Sequence, residues 1–146
     1  MAVNTTPIYA GVAIGNLVSF PAASSTTEAD LTTVTAGVDQ RIDSITIATD
    51  DTAVALCNLY LHDGTNDYQI TNVPTAITAG SKSDGATPPT NVLGHANMAG
   101  IVQADIAGNK FLIIPAGWKL RAKFNAALTS GKTAWIQTRG WKFADA

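Results

Sequence analysis

The residues best equipped for chemistry in this chain of 146 residues lie in three short stretches. The first is AALTSGKT, Ala126–Thr133. A phosphate-cradling loop needs G-x-x-x-x-G-K-[ST], where the glycines let backbone N–H groups wrap the phosphates and the lysine reaches the outer one. Gly131, Lys132 and Thr133 fit that pattern, but Ala126 stands where the first glycine belongs. Such a loop also leads from a strand into a helix, whereas the following TAWIQTRGW reads as a strand, so the stretch is expected to be a plain hairpin loop. The second stretch, HDGTND, gathers His62, Asp63 and Asp67, an imidazole and two carboxylates. Its spacing is not that of a calcium loop, and the other histidine, His95, lies far along the chain. A turn with incidental acids accounts for it. Asp50–Asp51 reads in the same way, as a turn and not an acid–base dyad. There is no G-x-S-x-G, no H-E-x-x-H and no Cys/His nucleophile pair. The sequence therefore assigns no catalytic, cofactor-binding or metal-binding residue and supports no enzyme activity.

The third stretch is the basic C-terminal segment. Residues 110–146 carry seven cations against one carboxylate, Asp145, while residues 1–109 carry Arg41 and Lys82 against ten acids. Nucleic-acid binding calls for cations along the phosphates and aromatics offered for stacking. Lys119, Arg121 and Lys123 form one stripe of the strand WKLRAKF, but Trp118 and Phe124 alternate to the opposite face and so belong with the core. A solvated or intersubunit cationic face is the simpler reading, and direct nucleic-acid binding is not expected. A carbohydrate site would instead recruit exposed aromatics beside Asp, which singles out Trp135, Trp141, Tyr68 and Asp67. The residues that form a binding interface are otherwise left open.

The elements that must position these residues are strands. Charged residues make up only 14%, Glu occurs once (Glu28) and Thr nineteen times, so the usual material of helix surfaces is missing. A low-charge surface favours an oligomer or a larger assembly. Cys57, the single cysteine, sits in an apolar run and is expected in the core. The N-terminus lacks a basic region before its apolar stretch, and no run is long enough to cross a membrane as a helix, so neither export nor a membrane partner is expected.

Met1–Pro7 reads as an arm that is flexible or reaches a partner. IYAGVAIGNLVSF places Ile8, Ala10, Val12 and Ile14 on one face, and LTTVTA could form a short strand. QRIDSITIAT and AVALCNLYLH are clear strands separated by DDT. The second of these is apolar on both faces, which places it mid-sheet between a core and another layer or subunit. DGTN supplies a hairpin into DYQI. Thr71–Asn109 loses periodicity; it is expected to hold one or two short strands or turns, with a weak helix in NVLGHANMAGIVQA, and to lie across a neighbour or exposed surface. KFLII, WKLRAKF and KTAWIQTRGWKF close the chain, the last two as partner strands, with Gly140 marking a bulge. The whole reads as one domain, residues 1–146, an antiparallel β-sandwich or barrel. Its expected core contains Ile45, Ile47, Leu56, Leu59, Leu61, Ile113, Trp118, Leu120, Phe124 and Ile136.

Pro88–Leu93 (PPTNVL), Ile114–Ala122 (IPAGWKLRA) and Gly131–Thr133 (GKT) occur in the order found in small virion proteins of tailed bacteriophages, which the last sixty or so residues resemble. The ending RGWKF departs from the Gly-Gly-x-aromatic ending often seen in that group. The resemblance implies a jelly-roll β-sandwich, commonly a homotrimer, that decorates capsids or builds head fibres and tail parts. It implies the major capsid protein or another virion protein as partner and the virion as location, and it carries over no catalytic residue.

Overall fold

The computed structural model describes residues 12–35, 37–81 and 87–143. The arm Met1–Pro7, the first residues of the following apolar stretch, Lys82 and Asp145 lie outside the described residues.

Among the described residues ten strands form: β1 (Val12–Pro21), β2 (Ala29–Asp30), β3 (Gln40–Thr49), β4 (Ala55–His62), β5 (Asp67–Thr75), β6 (Thr90–Asn91), β7 (Gln103–Ala104), β8 (Lys110–Ile114), β9 (Lys119–Phe124) and β10 (Thr133–Lys142). They build two antiparallel sheets. Sheet I has the order β1-β10-β3-β8-β7, with β6 also on β3, and sheet II the order β2-β9-β4-β5. Among the eight main strands the first pairs with the last (β1–β10), the second with the seventh (β2–β9), the third with the sixth (β3–β8) and the fourth with the fifth (β4–β5). That nesting is a long hairpin wound into two facing sheets, the jelly-roll sandwich.

The winding corrects the expected pairing of the basic segment. β9 lies in sheet II and β10 in sheet I, so they are not hairpin partners. The eight residues between them are enough to change layers, and Leu128 sinks into the core on the way, 5% exposed. Ser25 holds this crossing, its carbonyl accepting from Phe124 N at 2.8 Å and its hydroxyl from Leu128 N at 3.1 Å. Residues 31–35, the described part of LTTVTA, do not form a strand either. The pairing stops at Asp30, after which Leu31 N and Thr32 N both donate to the Leu120 carbonyl.

Alternation sets the core. Cys57, Leu59 and Leu61 of β4 share a face with Phe124, Ala122 and Leu120 of β9, and across the sandwich Ile45 and Ile47 of β3 lie beside Thr138 and Ile136 of β10. Ile45, Ile47, Leu59, Leu120, Phe124 and Ile136 are buried as expected. Leu56, Leu61, Ile113 and Trp118 are only partly buried. Leu56 and Ile113 fall on outer faces, opposite Pro74 and Arg41, while Leu61 and Trp118 sit at the rim, where the sheets run out. Phe20 and Phe124 meet edge-to-face across the layers at 5.6 Å.

Gly140 does mark a bulge. The β3–β10 register shifts between Arg139 and Gly140, leaving Asp43 as the extra residue on β3. A Cβ on Gly140 would lie 1.9 Å from the Arg41 carbonyl oxygen, so only glycine fits this close approach.

The long excursion begins later than expected, since β5 continues to Thr75. It holds β6, β7 and a single 3₁₀ turn, Ala96–Met98, in place of a helix. Nor does it lie only across an exposed surface. Ala79, Val92, Leu93 and Met98 are buried, and β6 completes the free flank of β3 beside β8. Val92 N donates to Ile45 O and Thr49 N to Ala79 O, so the segment closes the core of its own chain.

Candidate functional site

On the outer face of sheet II, β4 presents Asn58, Tyr60 and His62 against Lys123, Arg121 and Lys119 of β9. The cationic stripe read from WKLRAKF is therefore real as geometry. Its charges are answered within the chain. Lys119 Nζ lies 2.7 Å from Asp30 Oδ2, and Lys123 Nζ 3.1 Å from Glu28 Oε1. Arg121 contacts Glu28 at 3.2 Å, Asp30 at 2.9 Å and Asp67 at 3.0 Å. The Asp67 contact is a two-pronged hydrogen bond from Nη1, whereas the Asp30 contact with Nε is ionic without hydrogen-bond alignment. The lysine stems also cover apolar surface, and Lys123 sits over the Tyr60 ring at 5.5 Å.

The pairing is legible in the proton affinities. Partial desolvation would raise the Asp67 carboxyl, but hydrogen bonds and charge from Arg121, then His62, outweigh it and hold the group below the usual carboxylate range. Arg121 is pushed up despite desolvation, chiefly by Asp67 and then by Asp30 and Glu28. The hydrogen bond from Lys123 to Glu28 raises the lysine. The acids needed to see this in the sequence, Glu28 and Asp30, lie about ninety residues before their partners. Only the nested winding, which places β2 beside β9, brings them together.

HDGTND divides its residues between two tasks. Asp63 accepts from Thr65 N at 2.8 Å, Asn66 N at 2.7 Å and Tyr68 Oη at 3.1 Å. Those donors bring its carboxyl down to about 2. His62 Nδ1 lies 3.0 Å from Asp67 Oδ1, the carboxylate that also holds Arg121. Among the described residues no three His, Cys, Asp or Glu side chains come together as metal ligands would. His95 Nδ1 accepts from Asn97 N at 3.1 Å and caps the 3₁₀ turn. Cys57 is buried against the core and its thiol is pushed up to about 12 by desolvation.

Asp50 and Asp51 are structural in a way the sequence did not reveal. Asp51, 2% exposed, accepts from Ala53 N and, across the molecule, from the N–H and hydroxyl of Thr129. Asp50 accepts from Thr133 N at 2.7 Å. The β3–β4 crossing is thus tied to the β9–β10 crossing, and the GKT sequence lies in that tied loop, leading into strand β10. Desolvation opposes ionisation of Asp51, but the Thr129 and backbone donors overcome it and lower its proton affinity.

The suspected aromatics are dispersed. Tyr68 stacks on Trp118 at 5.7 Å and 23° at one end of sheet II. Trp135 and Trp141 lie on sheet I, paired with Ala48 and Arg41 of β3. Trp141 is 48% exposed and borders a shallow cavity of about 500 Å³ with Asp43, Ser44 and Arg139. Asp43 is itself bound to Arg41, which covers the Phe111 ring at 4.1 Å.

A feature missed in the sequence is the edge of sheet I. Among the described residues β1 pairs only with β10, over ten residues, and Val12 and Leu17 are 69% and 62% exposed. Below its first half, a cavity of about 400 Å³ opens between Ile14, Asn16 and Leu31–Thr33, because β2 is too short to cover it.

Comparisons of the chain with protein-family models, with curated proteins and with solved structures find no match.

Proposed function

We propose that this chain is a structural virion protein of a tailed bacteriophage, a decoration protein that reinforces the capsid through symmetric protein–protein contacts. Its partner on this reading is the major capsid protein or another virion protein. The observation that carries it is the use the jelly roll makes of its reactive groups. The lysine and arginine stripe is neutralised by Glu28, Asp30 and Asp67, Asp51 and Asp63 cap loops, and the cysteine is sealed in the core. The surface also offers exposed apolar side chains, Val12, Leu17, Ile106 and Trp141 among them, and the edge of β1, which is material for assembly. The resemblance of the C-terminal segment to small phage virion proteins points the same way. Many weak contacts multiplied by the symmetry of a shell give tight attachment without a reactive group. The paired stripe also argues against a phosphate-binding surface, since polyanion binding would have to break those pairs first.

Electron microscopy and protein mass spectrometry of the purified particle test the proposal. Density on the shell at local symmetry axes is the expected result. Density confined to the tail or a head fibre would move the role there, and absence of the protein from the particle would overturn it. A second reading, carbohydrate binding at the exposed Trp141 beside Arg139, predicts a glycan-array signal that Trp141→Ala abolishes.

A further inference from the structure

We propose that the free edge of β1 is a self-association site, and that two copies of this chain join through antiparallel β1–β1 pairing about a two-fold axis. The inference rests on the assembly reading above and names the contact that makes it.

Sheet edges invite pairing with other chains, and folded proteins normally guard them with short strands, prolines, charges or covering segments. Three of the four edges here are guarded. β2 and β7 are two residues each. β5 has Pro74 within it and is crossed by the 3₁₀ turn, whose Asn97 donates to Asn72 O at 2.8 Å and accepts from the Thr71 hydroxyl at 3.0 Å. β1 is different. Its ten residues, VAIGNLVSFP, include no charge, and its one proline is the last residue. In an antiparallel pair alternate residues turn their N–H and C=O groups away from the partner strand, so β1 offers a row of donors and acceptors opposite β10. Among the described residues nothing pairs with that row.

The same features select the partner. An uncharged strand meets no like-charge penalty when it pairs with itself, whereas it offers no charge complementarity to a basic or acidic strand. A head-to-tail ring would need a second, different long edge on the same chain, and the other edges are short or blocked. Self-pairing closes the contact as a dimer and joins the two sheets I into one continuous sheet. Val12 and Leu17, with Trp141 on the neighbouring strand, then lie along the seam. With on the order of ten residues a side, the contact falls at the small end of specific interfaces, so association in the micromolar range is expected.

The test is sedimentation of the full-length chain across concentration, beside Gly15→Lys/Leu17→Lys. Both positions tolerate the change, since a Cβ on Gly15 meets only the Thr138 carbonyl oxygen at 3.7 Å and Leu17 is 62% exposed. The wild-type chain should reach twice its monomer mass, and the variant should bind itself about tenfold or more weakly with an unchanged circular dichroism spectrum. Should the double variant misfold, Leu17→Lys alone serves with the same expectation. A wild-type monomer at every concentration would overturn both the inference and self-assembly in solution. An oligomer that survives the lysines, or one of three times the monomer mass, would overturn the β1 contact while leaving assembly in place.

Discussion

The outer face of sheet II and the free edge of sheet I both look, strand by strand, like surfaces made for a partner. The first holds a stripe of three cations with aromatics nearby, and the second a strand of small and apolar residues. In the folded chain they diverge. Each cation of β9 meets a carboxylate contributed by β2, by Glu28 just before it, or by β5, so that face is closed by its own chain. Among the described residues β1 has a neighbour on one side only. On the assembly reading, charge density is thus a poor guide to where this molecule binds. A charge can be answered by a single residue far away in sequence, whereas a ten-residue strand edge takes a segment running alongside it.

That contrast can be broken most severely at the seam that shapes sheet I. Gly140→Val would drive a side chain into the Arg41 carbonyl, and a loss of about 3 kcal/mol or more is expected in chemical denaturation. Leu120→Ala empties a fully buried site beneath the ionic face and should cost about 2–5 kcal/mol. Asp51→Ala leaves the Thr129 and Ala53 donors without their acceptor and should cost about 1–3 kcal/mol. Asp51 and Asp67 both have folded proton affinities below their unfolded values. Their contribution is present above the unfolded carboxylate value of about 4 and is lost as pH falls through the folded values. Thermal melting should therefore be nearly flat from neutral pH down to about 5 and fall below about 4, and Asp51→Asn should flatten the fall. Arg121→Ala removes the cation shared by Glu28, Asp30 and Asp67, but the site is partly solvated, so about 1–2 kcal/mol is expected. Leu17→Lys should change stability by less than about 0.5 kcal/mol and yet alter association.

The layer structure was open to reading from period-two alternation, which identified β3, β4, β9 and β10 and the inward set Ile45, Ile47, Leu59, Leu120, Phe124 and Ile136. Alternation says which way a residue points but not which strand lies beside it. For that reason β9 and β10 read as partners in the sequence, although the loop of residues 125–132 carries the chain between layers. The same ignorance of neighbours hid the reach of Glu28 and Asp30 to the cations of β9, and the hold of Asp51 on Thr129. β4, apolar on both faces, reads as a mid-sheet strand between a core and another layer or subunit, and it does lie mid-sheet between β9 and β5. Its outer residues Asn58 and Tyr60 are instead covered from within, Tyr60 beneath Lys123. The excursion after β5 lacked periodicity because it supplies single buried residues, Val92, Leu93 and Met98, from turns and not from strands. The exposure of β1 is a property of sheet order, and no local pattern encodes it.

Amide hydrogen exchange of the full-length chain, followed from low to high protein concentration, compares the two regions in one experiment. Protection should rise with concentration at alternate residues of Val12–Pro21, while the amides of Lys119–Phe124, already paired on both sides, should not change. Concentration-independent exchange along β1, or a rise confined to the outer face of sheet II, would contradict the assignment of the β1 edge as the surface through which this chain assembles.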